Sequence, residues 1–161
     1  MSKLTVKTEG DRYVVMTRRI AAPPKEVYRA HVEPELIQQW ALGPDGWTMP
    51  VCINQARPGG SIRYEWSNGK GEGFFLTGEF IELEPPRRIV HVERMHLPDP
   101  TPDNHIETTF EPDGDGTLVR MRMTLPDEAT RTAMLKTGME HGMEASYVRM
   151  EKVLDGVEKG A

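Results

Sequence analysis

The chain has 161 residues, 20 of them basic and 25 acidic, giving a formal charge of −5 and a pI near 5.6. An acidic chain whose longest basic runs are Arg18-Arg19 and Arg87-Arg88 is poorly built to neutralise phosphates, so nucleic acid is not an expected partner. No apolar run approaches the roughly 18–20 residues of a membrane span, and the opening Met1-Ser2-Lys3-Leu4-Thr5 has no apolar signal core, so a membrane is not expected either and the expected place is the cytoplasm. Cys52 is the only cysteine, which allows neither an internal disulfide nor a cysteine zinc cage. The length suits a single domain over 1–161, with its core over about 12–157.

Taken in chain order, Arg12–Ile20 alternates and is rich in β-branched residues, which predicts a strand. Ala21-Ala22-Pro23-Pro24 stops it, and proline suits the first turn of a helix over Lys25–His31. A second short helix is predicted over Pro34–Trp40, with Leu36, Ile37 and Trp40 on one side. After the loop Gly43-Pro44-Asp45-Gly46, six strands are predicted: Thr48–Ala56, Ser61–Ser67, Gly73–Glu84, Arg88–Met95, His105–Glu111 and Thr117–Leu125. Their separators are rich in glycine, proline, asparagine and aspartate, so the strands are expected to pair as antiparallel neighbours. From Asp127, a residue suited to capping, apolar and small residues recur at steps of three and four as far as Val157. That predicts one helix of about 45 Å at 1.5 Å per residue, long enough to cross a whole sheet.

The expected fold is therefore α+β: a curved antiparallel sheet of seven strands wrapped on a long C-terminal helix, with two short helices after the first strand. One helix cannot fill a strongly curved sheet, so either bulky side chains plug the space or a pocket remains. Met139, Gly142, Met143 and Met150 on the helix are flexible or small; they suit varied apolar ligands and serve as ordinary core filler equally well. The residues expected to line a ligand cavity are Trp47, Tyr64, Trp66, Leu76, Phe80, His91, Glu93, Thr108, Met121, Met139, Met143 and Tyr147.

His91 and Glu93 are the pair with the most chemistry. At i and i+2 on one strand they point the same way, about 7 Å apart. Facing a cavity, they would serve as general base and acid or as an anchor for a polar group; at an exposed strand end they would have no role. His96 completes a tempting metal set, but the H-x-E pattern of zinc deaminases needs a later Pro-Cys-x-x-Cys, so no metal and no cofactor is expected. Asn68-Gly-Lys-Gly-Glu-Gly73 reads as a hairpin turn, because no helix N-terminus follows it to receive a phosphate. Ser61 and Ser67 lack the context of a nucleophile, and Cys52 reads as packing. Arg18 shares a face with Met16 and Ile20; an exposed sheet edge is its expected home, with a buried anchor as the alternative.

Several ordered motifs resemble the START-like (helix-grip) superfamily, also called SRPBCC, and within it the bacterial homologues of the activator of heat-shock-protein-90 ATPase. They are Thr17-Arg18-Arg19-Ile20-Ala21-Ala22-Pro23 with Glu26-Val27-Tyr28-Arg29-Ala30, then Pro34-Glu35-Leu36 to Trp40, Gly43-Pro44 and Arg57-Pro58-Gly59-Gly60. Gly78-Glu79-Phe80, Glu84-Pro85-Pro86-Arg87-Arg88 and Gly138-Met139-Glu140-His141-Gly142-Met143-Glu144 through Tyr147 to Leu154 follow. The chain departs from the pattern at Ala41 and Met143, where relatives often carry tryptophan, and both changes would enlarge or reshape a pocket. The resemblance implies the helix-grip fold and a small, largely apolar ligand. It also implies a possible homodimer and, as an alternative, a co-chaperone acting on a heat-shock chaperone's ATPase. A cyclase- or hydrolase-like enzyme using His91 and Glu93 is the third reading.

Overall fold

The computed structural model describes residues 3–97 and 99–159, with the backbone alone for 157–159. Eight strands form one antiparallel sheet: β1 (Thr5–Glu9), β2 (Tyr13–Ile20), β3 (Thr48–Asn54), β4 (Ser61–Ser67), β5 (Gly73–Glu84), β6 (Arg88–His96), β7 (Asn104–Asp113) and β8 (Gly116–Thr124). Their spatial order is β1-β2-β8-β7-β6-β5-β4-β3. Two short helices, α1 (Pro24–Val32) and α2 (Pro34–Trp40), follow β2, and α3 (Glu128–Leu135) and α4 (Met139–Lys159) follow β8. The α+β helix-grip layout is the one expected, with two differences.

The first is an eighth strand. β1 reads Thr-Val-Lys-Thr-Glu and only Val6 in it is not exposed, so it carries no hydrophobic alternation. Pairing holds it instead, with Val6 opposite Met16 and Thr8 opposite Val14. The second is a break in the C-terminal helix. Gly138 takes φ +72°, a left-handed conformation that favours glycine, and ends α3 before α4 begins. Its amide donates to the Leu135 carbonyl at 3.3 Å. At the other end Asp127 caps α3 as expected, its carboxylate accepting from the Thr130 amide at 2.7 Å.

One face of the sheet carries the core. Across it Val14, Met123, Ile106 and His91 lie in register, and Met16, Met121, Thr108 and Ile89 form the next row. Tyr28 and Val27 of α1 and Tyr147, Met150 and Leu154 of α4 pack against Ile62, Leu76, Phe80, Ile89 and Phe110. A second cluster, Val14, Met16, Ile106, Met123 and Leu125, lies under Met134 and Leu135 of α3 and Met139 and Met143 of α4. Each such side chain, fully buried, stabilises the fold by roughly 1.5–3 kcal/mol.

Arg18 departs from the exposed edge expected of it. It sits on the inner face, its side chain only 2% exposed, because α4 supplies the counter-charge. Its Nε and Nη2 donate to Glu144 Oε1 and Oε2, both at 3.0 Å, and Nη2 reaches Glu151 Oε1 at 3.3 Å. Glu144 Oε1 also accepts the Leu4 amide at 2.8 Å, and Glu151 Oε2 accepts the Ala21 amide at 2.9 Å. The guanidinium thus fixes the register of α4 on β2.

Candidate functional site

The inner face is largely apolar, and apart from the buried Arg18 and Thr108 its polar character centres on the middle of β6. The strand alternation that aims Ile89 into the core aims His91 and Glu93 the same way, beside Phe80 and Gly78 of β5. His91 Nε2 and Glu93 Oε1 are 2.8 Å apart, and their side chains remain 16% and 22% exposed. The pair therefore belongs to the inner wall yet is touched by solvent. Its strand end is not the outward-facing one.

Around this pair lie groups contributed by other elements. His31, one turn after Val27 on α1, contacts Trp40 and Phe110 with ring centroids 5.1 and 4.9 Å away. Its Nδ1 bonds the Val27 carbonyl at 2.7 Å. Burial, with a smaller push from His91, lowers the His31 pKa to about 4, so this ring is neutral at pH 7. Tyr64 of β4 donates to Asn54 Oδ1 at 2.6 Å, and Asn54 Nδ2 donates to the Val32 carbonyl at 2.8 Å, tying α1 to β3 and β4. Burial, then the nearby Cys52 and Glu93, raises the Tyr64 pKa well above its usual value and keeps the phenol neutral. Asn104, at the start of β7, stands opposite Glu93. Four buried polar atoms on this side have no hydrogen-bond partner among the described residues: Tyr28 Oη, His31 Nε2, His91 Nδ1 and Asn104 Oδ1. Buried polar groups are nearly always paired, with protein or with ordered water, so each of these atoms needs a partner.

The other expected lining residues distribute differently. Leu76, Phe80, Thr108 and Tyr147 are buried, while Tyr64, Trp66, Met121, Met139 and Met143 are half-buried. Tyr147 stacks on Trp40 at 6.0 Å, and its own burial lifts its pKa to about 12. Trp66 donates to the Ala41 carbonyl at 2.8 Å and stacks on Phe74 at 4.9 Å. The space between α4 and the sheet is thus occupied by Tyr147, Met150 and Leu154 together with Met143. Two hollows stand out on the molecule, and both are open. One, about 170 Å³, lies on the outer face among Arg88, Val90, His105, Glu107, Arg122 and Thr124. The other, about 350 Å³, is bounded by Trp47, Glu72, Gly73, Phe74, His96 and Leu97. Trp47 is the only expected lining residue that borders either hollow.

His96 does not join His91 and Glu93. It faces the opposite side of β6, stacked on Phe75 at 4.2 Å with Nε2 at 2.9 Å from Thr77 Oγ1. Among the described residues no three histidine, cysteine, aspartate or glutamate side chains gather as a metal-ligand set. Cys52 is half-buried and its pKa is pushed up to about 11 by burial, which leaves it a thiol. His31, Asn54 and Asn104 were not legible as site residues. His31 had one available signal, a histidine in register with Val27 and next to the apolar stripe of α1.

The fold agrees with what similarity shows. The profile of the family described as "Activator of Hsp90 ATPase homolog 1-like protein" matches residues 21–155. The chain belongs to that family, within the START-like superfamily. Among solved structures, a Rhodobacter sphaeroides protein shares 26% identity at a TM-score of 0.89, the match covering 96% of this chain and 99% of that one. Protein Ms6760 from Mycobacterium smegmatis shares 20% identity at a TM-score of 0.83, over 94% of this chain and 96% of its own. A Staphylococcus epidermidis protein shares 24% identity at a TM-score of 0.81, over 94% of each chain. The last two show the fold alone. No curated protein sequence is significantly similar. No helix among the described residues is long and apolar enough to cross a membrane.

Proposed function

We propose that this chain binds a small amphipathic molecule on the inner face of its sheet. The polar end meets His91 and Glu93, and the apolar part lies along the half-buried Tyr64, Trp66, Met95 and Met143. One observation carries the reading: a His–carboxylate pair turned into a largely apolar inner face, part-exposed to solvent, with His91 Nδ1 and three further buried polar atoms on that side lacking a partner among the described residues. Buried polar atoms need partners, and the polar end of a bound molecule would supply them. The methionines supply an adaptable wall, so the occupant need not match a rigid outline.

The test combines a native mass spectrum of freshly purified protein with titration of the apolar fluorophore N-phenyl-1-naphthylamine. A retained small molecule, or one equivalent of fluorophore bound and weakened at least tenfold by His91→Ala or Trp66→Ala, is the expected result. A bare-mass spectrum together with no fluorescence enhancement overturns the reading.

A further inference from the structure

Hydrogen-bond accounting at the inner wall specifies the chemistry of the polar end, given the binding role just proposed. Carbonyl and carboxylate oxygens only accept. His31 Nδ1 therefore carries the ring proton, donated to the Val27 carbonyl, and His31 Nε2 is a bare lone pair. By the same rule His91 Nε2–H donates to Glu93 Oε1, and in the neutral ring His91 Nδ1 is then a second bare lone pair. Both lone pairs are buried without a partner among the described residues. Glu93 keeps Oε2 with no hydrogen bond from any described residue, on a side chain that solvent reaches.

Donors are correspondingly scarce. The Tyr64 hydroxyl is spent on Asn54 and the Trp66 indole on the Ala41 carbonyl. Arg18, the buried arginine on the inner face of the strands, is held by Glu144 and Glu151. The wall thus offers the two imidazole lone pairs and one negative charge against a single uncommitted buried hydroxyl, that of Tyr28, and among the described residues it lacks a free cation to receive an anion.

We infer that the ligand's polar end is a protonated amine, not a carboxylate or phosphate. Its N–H groups would engage Glu93 Oε2 first, and small ring movements of His91 and His31 would let their lone pairs accept the remaining protons. An anionic head would meet Glu93 and two imidazole lone pairs with nothing to neutralise it, which costs the anion its hydration without return.

The test is calorimetric titration at pH 7 with three probes of one shape: 4-phenylbutylamine, 4-phenylbutan-1-ol and 4-phenylbutyrate. The amine is expected to bind at least tenfold more tightly than the carboxylate. Glu93→Gln, which preserves the side chain's shape, should cost the amine at least tenfold while changing the alcohol less than threefold. In the unmodified protein the amine should also shift the His91 and His31 ring resonances, a readout that stands even if the variant folds poorly. A carboxylate that binds as tightly as the amine overturns the inference, as does an amine preference that survives Glu93→Gln. If the alcohol and carboxylate bind and the amine does not, the binding role stands and the amine assignment falls. If none of the three binds, both fall.

Discussion

His31 is a residue whose protonation the fold resists. Unfolded, its pKa lies near 6.5; folded, burial lowers it to about 4. As pH falls from 6.5 towards 4 the unfolded chain takes up a proton that the folded one refuses. Stability present above pH 6.5 is lost across that window, by about 3 kcal/mol from this group alone. The check is urea unfolding of the unmodified protein and of His31→Gln between pH 7 and 4. The variant should show a shallower fall, and an unchanged slope would assign the acid sensitivity elsewhere. Arg18 acts in the opposite sense, as a charge the core accepts because two carboxylates surround it. Arg18→Met strands Glu144 and Glu151 beside each other and should cost about 2–4 kcal/mol, less than a wholly dry pair because both glutamates keep some solvent. Denaturant midpoints measure it, and Glu144→Gln added to Arg18→Met should return part of the loss.

Among the elements, the join between α3 and α4 depends on a single glycine. Gly138 at φ +72° has no backbone clash to fear from its surroundings, the nearest atom to an added Cβ being His141 Cδ2 at 3.6 Å. The conformation itself is what a side chain resists, so Gly138→Ala should cost about 1 kcal/mol, seen as a lower Tm with the helical circular dichroism intact. The turn between β1 and β2 depends on α3. Arg131 Nη1 is within reach of the carbonyls of Glu9, Gly10 and Tyr13, at 3.2, 3.0 and 3.3 Å. Arg131→Ala should speed amide exchange across β1 before it touches β5 or β6. Both features explain what the sequence concealed. Apolar steps run on through Leu135, Met139 and Met143 across the glycine, so periodicity alone predicts one helix. β1 has no apolar face to announce it, because its stability comes from neighbours and from a distant arginine. By contrast β4, β5 and β6 carry their own alternation and turn chemistry, and their bounds were readable to within a residue or so. The same parity made the inward aim of His91 and Glu93 legible. Helical His31 has no strand parity to read and Asn104 lies one residue ahead of the predicted strand, so their meaning arises only when α1 is laid on β7 beside β6.

At the scale of the whole molecule, a tightly filled contact between α4 and the sheet coexists with a half-exposed strip along Trp66, Tyr64, Met95, Glu93 and His91. A ligand binding there only in the native state would stabilise the fold by an amount that rises with the logarithm of its concentration above Kd. At a hundred times its Kd the gain is about 2.7 kcal/mol, which a thermal scan with 4-phenylbutylamine would register as a rise of several degrees.

Glu144 has a practical side as well. One carboxylate receives the guanidinium of β2 and the amide of Leu4 while standing on α4 itself, and its pKa is held below the usual range by that arginine. Cargo fused just ahead of Leu4 would pull on the knot that seats the terminal rod, whereas a short spacer in between would relieve the knot of that pull. Purification tags joined there with and without such a spacer should therefore give proteins of different heat resistance, although neither tag touches the sheet.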